Sequence, residues 1–205
     1  MLVTVIISFA PFNATLNVLK KFLAEAERLT EKKVLWVRVN RSQEWDNWLW
    51  TEFKNQQGFI IEFTTAYAYQ QNGATERSMC TILDTARLML VDSGLSTKYW
   101  SEVVQTAVYL RNLVSSKCNP DMVSAEMWYR NKQDMTHLCV FNATVYVHIS
   151  SDLHLLKLGP RVTQLMLIGY FGAKSYKLLD QEMGSVYSGR NVCFEEGTAN
   201  LTKEP

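Results

Sequence analysis

Residues 66–90 read AYAYQQNGATERSMCTILDTARLML, and the pattern changes partway through them. The first half is polar and turn-like. From Ala74 to Asp92 the spacing becomes helical, with Met79, Leu83, Ala86 and Leu90 on one stripe that should face a core. Ser93-Gly94 stops the helix. Gln71-Asn72-Gly73 reads as a turn in which Asn72 caps that helix. The same loop residues, with Arg77, are candidates for contact with a ligand beside the helix start.

Upstream, strands and helices alternate. Val3 to Phe9 is a β-branched apolar run and reads as a strand. Asn13 opens a helix with Leu16, Leu19, Leu23, Ala26 and Leu29 at helical spacing. Val34 to Val39 is a second strand. Trp45 to Gln57 reads as a short helix ended by Gly58, and Phe59 to Phe63 as a third strand. Such alternation predicts an α/β sheet with parallel pairs and right-handed crossovers.

Downstream, a helix runs from about Thr97 to Val114, with Trp100, Val103, Val104, Ala107 and Leu110 facing inward. A short one, Ser124 to Arg130, follows Asn119-Pro120. After Leu138 the period shortens. CVFNATVYVHI, LMLIGYFG, YKLLD, SVYSG and NVCFEE are short strands punctuated by Gly, Asp and Asn, the pattern of a small antiparallel barrel. The reading is one domain over 1–132, a barrel over 137–196 and a disordered tail over 197–205.

Composition sets bounds. The chain has 205 residues, 47% apolar and 20% charged, with a net charge of +1. That balance argues against tight nucleic-acid binding, which leaves a basic footprint. The opening segment is too short and lacks the basic leader of a signal peptide, and no membrane span is expected. Cys80, Cys118, Cys139 and Cys193 form no C-x-x-C pair. They read as reduced, mostly buried thiols of an intracellular protein, with no structural zinc. Phosphate loops, dinucleotide fingerprints and a Ser-His-Asp order are absent.

The quoted stretch resembles the Y-x-P-Q-Q-N-G-x-x-E-R signature of copia-type integrases, with Tyr69 in place of the proline. LKKFLAEAERLTEKKVLWVRVN, EWDNWLWTEF, YWSEVVQTAVYLRNL, MVSAEMWYRNK and LIGYFGAKSYKLLD follow that family in order, over about residues 13 to 196. The resemblance implies a ribonuclease H-like integrase core, mixed sheet with helices, followed by an SH3-like β-barrel. It also implies DNA as a partner. In the intact family three carboxylates hold two Mg²⁺ or Mn²⁺ ions for phosphoryl transfer.

The family's Glu maps onto Glu76. Its second Asp falls at Asn40, within Arg38-Val39-Asn40-Arg41-Ser42-Gln43-Glu44-Trp45, and thirty-five residues separate the two positions, which is the family spacing. Asn40 and Glu76 are therefore expected to be neighbours. The first Asp should precede Val3, and no candidate for it is found. By the same alignment Val3–Phe9 is the third strand and is expected to pair directly with Val34–Val39. With Asn40 neutral and Arg41 beside it, no cofactor is expected, Glu76 is the one remaining metal ligand, and any DNA binding by Gln71, Asn72 and Arg77 should be weak. A fragment of an inactive integrase is the leading expectation. A non-catalytic DNA- or protein-binding remnant, favoured by a basic face of Arg77, Arg111, Lys117 and Arg130, and a relic without function are the alternatives.

Each residue also has a plainer reading. Glu76 suits the first turn of a helix through the helix dipole. Trp36, Trp45, Trp48 and Trp50 read mostly as core rather than stacking platforms. His137, His148 and His154 read as surface or loop residues.

Overall fold

The computed structural model describes residues 12–39, 48–63, 69–116, 119–148 and 162–195. Two compact units divide the chain: Met1–Thr81 with Val114–Asn131, and Ile82–Leu113 with Lys132–Pro205.

In the first unit, α1 (Phe12–Thr30) leads to β1 (Trp36–Val39), and α2 (Trp48–Gln57) leads to β2 (Ile60–Phe63). The expected helix stripe holds: Leu16, Leu23 and Ala26 are buried. Leu16 and Leu23 form a core with Trp50, Phe53 and Phe59, against which Leu19, Val37 and Ile61 pack. Gly58, at φ 77°, ends α2, and its N–H donates to Lys54 O at 2.8 Å. That left-handed residue turns the chain directly into β2. β1 and β2 pair in parallel, Trp36 with Ile60 through Val39 with Phe63. Alternation along these strands turns Val37 and Ile61 to the core and Trp36, Arg38, Ile60 and Glu62 outward. Glu27 stitches α1 to the approach to β1, accepting from Val34 N–H at 3.0 Å and Lys33 Nζ at 2.8 Å. These bonds to the ionised form, Lys33 first, hold its carboxyl below the usual range. β3 (Ser115–Ser116), β4 (Asn119–Val123) and α5 (Ser124–Tyr129) complete this unit. Trp128 stacks on Phe22 of α1, and Arg130 donates to Thr30 O.

In the second unit a 3-10 turn, Thr97–Tyr99, capped by Ser96, feeds α4 (Trp100–Asn112). Val103, Val104, Thr106, Ala107 and Val108 of α4 are buried. Five antiparallel strands follow: β5 (Thr144–His148), β6 (Val162–Gly172), β7 (Ser175–Leu179), β8 (Val186–Gly189) and β9 (Val192–Phe194), in the sheet order β8-β7-β6-β5-β9. α4 lies against β6, where Thr106 donates to Ile168 O at 2.8 Å. A Cβ on Gly169 would overlap the Thr106 hydroxyl, so glycine permits this close approach.

Several expectations are corrected. α3 (Tyr69–Ser93) begins before Asn72, so Gln71, Asn72 and Gly73 are helical rather than a capping turn. Extending a formed helix through these residues costs only about 1 kcal/mol per residue even for Gly, less than opening a new nucleus. Its inward stripe is Ile82 and Ala86; Met79 and Leu83 are 43% and 42% exposed. Trp100 is likewise exposed, although it shares a helix face with Val103, Val104 and Ala107; it stands at the first residue of α4. Trp36 and Trp48 face solvent, while Trp50 is core. His137 is buried, sheltered by Tyr109 and Tyr170. Cys80 and Cys193 are exposed thiols. Val3–Phe9, Trp45, Cys118, His154 and the tail lie outside the described residues.

Candidate functional site

Parallel strands end on a common edge, and in α/β sheets that carboxyl edge is where loops gather ligands. β1 ends there at Val39 and β2 at Phe63. Asn40 follows Val39 directly and lies outside the described residues, so its distance to Glu76 does too. Just before that edge, Arg38 and Glu62 form a cross-strand ion pair, with Nη2 and Nε each 2.9 Å from Oε2.

α3 begins six positions after β2. Glu76 sits two turns into it with an exposed side chain. Positions 72 and 76 share one helix face, and positions 73 and 77 another. Gly73 leaves room for Arg77: a Cβ there would stand 3.3 Å from Nη1 of the guanidinium. Arg77 thus folds back along α3, and its carbonyl accepts from Thr81 Oγ1 at 2.9 Å.

The donor set does not fit a pair of dications. It offers one carboxylate, Glu76, with Arg77 adjacent in sequence, and a neutral amide at Asn40 with Arg41 adjacent. Mg²⁺ needs hard anionic oxygens to offset its dehydration. Among the described residues no three His, Cys, Asp or Glu side chains gather as a ligand group. Of the proposed basic face, Arg77 and Arg130 belong to the first unit, Arg111 to the second, and Lys117 lies outside the described residues.

Two polar clusters escaped the sequence reading, both in the second unit. Lys177 is buried in β7, donating to Gln105 Oε1 at 2.5 Å with its ammonium 5.1 Å from the Phe171 ring centre. Burial pulls its pKa below the usual lysine value, opposed by the Glu102 charge. A lysine inside YKLLD looks like an ordinary outward strand position; only the helix laid over that face buries it. The second cluster is aromatic. Tyr109 Oη and His137 Nε2 are 2.7 Å apart, Tyr176 donates to His137 O, and Tyr170 donates to Cys139 O at 2.8 Å. Burial, first among several causes, raises the Tyr170 and Tyr176 phenols above their usual value. Neither cluster has a sequence signature, since its members are scattered over α4, β6, β7 and the approach to β5.

Residues 143–205 match the family described as the retroviral polymerase SH3-like domain. Over 181 residues the chain is 30% identical to the retrovirus-related Pol polyprotein from transposon TNT 1-94 of Nicotiana tabacum. That alignment covers 88% of this chain and 14% of the polyprotein, so the chain spans about a seventh of that relative's length. A chain in the cryo-electron microscopy structure of the simian T-cell lymphotropic virus intasome in complex with PP2A regulatory subunit B56 gamma superposes with a TM-score of 0.47 at 9% identity, over 89% of this chain and 63% of that one. No helix among the described residues is long and apolar enough to cross a membrane.

Proposed function

We propose, for a chain that belongs to the retrovirus-related Pol polyproteins of transposons, that it is the later part of a copia-type, ribonuclease H-like integrase core joined to its SH3-like barrel, and that it is catalytically inactive. The observation that carries this is the state of two positions. Glu76 stands exposed on α3. Its counterpart, with thirty-five residues between them, is Asn40, after the end of β1, where the resemblance puts the family's Asp. An amide can lend a carbonyl oxygen but no negative charge, so it cannot balance a dication at a phosphoryl-transfer site. The integrase frame supports a role inherited from DNA integration, with DNA as the partner; the residues support no metal-dependent chemistry.

The test is a DNA strand-transfer assay with Mn²⁺, comparing the native chain, Asn40→Asp and Glu76→Gln. The expected result is no metal-dependent product from the native chain above background. Strand transfer by the native chain that Glu76→Gln abolishes would overturn the proposal.

A further inference from the structure

β6 runs eleven residues, Val162–Gly172, but its pairing with β7 begins only at Met166. Over Val162–Leu165 it has one strand neighbour among the described residues, β5. Leu167 N–H donates to Ala143 O. In an antiparallel ladder direction alternates, so Leu165 and Thr163 also turn their backbone groups toward β5, while Gln164 and Val162 turn theirs away. The far side of β5 agrees: Thr144 O points to β9 and accepts from Glu195 N–H. Among the described residues no strand pairs with that side of Val162 and Gln164, so their backbone donors and acceptors lie along an open edge there.

β7 cannot extend to cover that edge, because its chain turns at Asp180. Asp180 Oδ1 accepts from Glu182 and Met183 N–H at 3.0 Å each, and Asp180 O accepts from Gly184 N–H at 2.8 Å. A groove of about 490 Å³ follows the open edge, reaching from Val162 to Glu182. Its lining is mostly polar, with Thr163, Gln164, Asp180, Gln181 and Glu182 along it. Among the described residues that line it two are acidic and none is basic.

We propose that this groove takes an extended peptide segment bearing a lysine or arginine, which adds a strand beside Val162–Leu165 and sets its cation against Asp180 and Glu182. Unpaired strand edges recruit strands through backbone hydrogen bonds. The carboxylates supply the charge preference. This inference stands whether or not the reading of Glu76 holds.

The test titrates the full, isotopically labelled chain with a synthetic octapeptide alternating valine and threonine and ending in one lysine. Amide resonances of Val162 and Gln164 are expected to move most. N-methylation of alternate peptide amides should weaken binding about tenfold or more, through loss of the backbone bonds. Glu182→Lys, on an exposed turn, should weaken it about threefold or more at low salt, with circular dichroism verifying the fold. Equal binding of the N-methylated peptide, an unchanged affinity in Glu182→Lys, resonance shifts confined to other surfaces, or no binding at millimolar peptide would each overturn the proposal.

Discussion

Four tryptophans lie close together in sequence, and the three among the described residues differ in burial. Trp50 is 2% exposed within the α1–α2 core, while Trp36 is 62% exposed on the outer face of β1. Removing a buried indole leaves a cavity, so Trp50→Ala should cost about 3–5 kcal/mol. Trp36→Ala should cost about 1 kcal/mol or less, as exposed substitutions do. Urea unfolding of the two variants checks this; equal losses would mean that Trp36 is packed in solution. Sequence alone could not separate the two residues. A period-2 pattern tells which residues of a strand share a face, but not which face is covered. The same blindness hid His137, whose burial depends on Tyr109 and Tyr170 arriving from distant elements. At residue scale the resemblance assigned Asn40 to the family's Asp position and Glu76 to its Glu, and of the two only Glu76 falls among the described residues.

Elements were more legible than residues. α1, α2, α4, α5 and the five strands of the antiparallel sheet lie close to where periodicity and punctuation set them, and the parallel pairing of β1 with β2 follows from their alternation with helices. The misses arise where one element covers another. α4 lies over the five-stranded sheet and buries Lys177 against Gln105, so β7 is buried along Tyr176–Leu179 rather than alternating. That contact has a pH signature. Burial lowers the folded-state pKa of Lys177 below its ordinary 10.5. Between those two values the unfolded chain holds a proton that the folded chain lacks, so stability rises with pH across that window and levels off above 10.5. Tyr170 and Tyr176, raised by burial, act in the opposite sense near the alkaline end. They are common to wild type and Lys177→Met, so the difference between the two isolates the lysine. The difference in urea midpoint should move in favour of wild type as pH rises from neutral toward the ordinary lysine value. A flat or falling difference would show that Lys177 stays solvated or charged in the fold.

Charge governs what the whole molecule can bind. With a net charge of +1, few cations are available to displace counterions from DNA. The structure removes several of those from play. Lys33 is held by Glu27 at 2.8 Å, Arg38 by Glu62 at 2.9 Å and Arg87 by Asp84 at 2.6 Å. Lys177 is buried, and Arg130 is turned to Thr30 O. Each cation already paired to a carboxylate must leave that partner before it can neutralise a phosphate. DNA binding should therefore be weak, independent of sequence and shallow in salt. With about four phosphates or fewer neutralised, log K against log salt should have a slope no steeper than about −4. Releasing two cations should change this in a defined way. The double variant Glu27→Gln, Glu62→Gln frees Lys33 and Arg38, raises the net charge by two, and should steepen the slope by about 2. Fluorescence anisotropy with a labelled duplex over a salt series measures both proteins. A nanomolar Kd for the native chain at near-physiological salt, or an unchanged slope in the double variant, would mean that binding rests on a surface other than these cations.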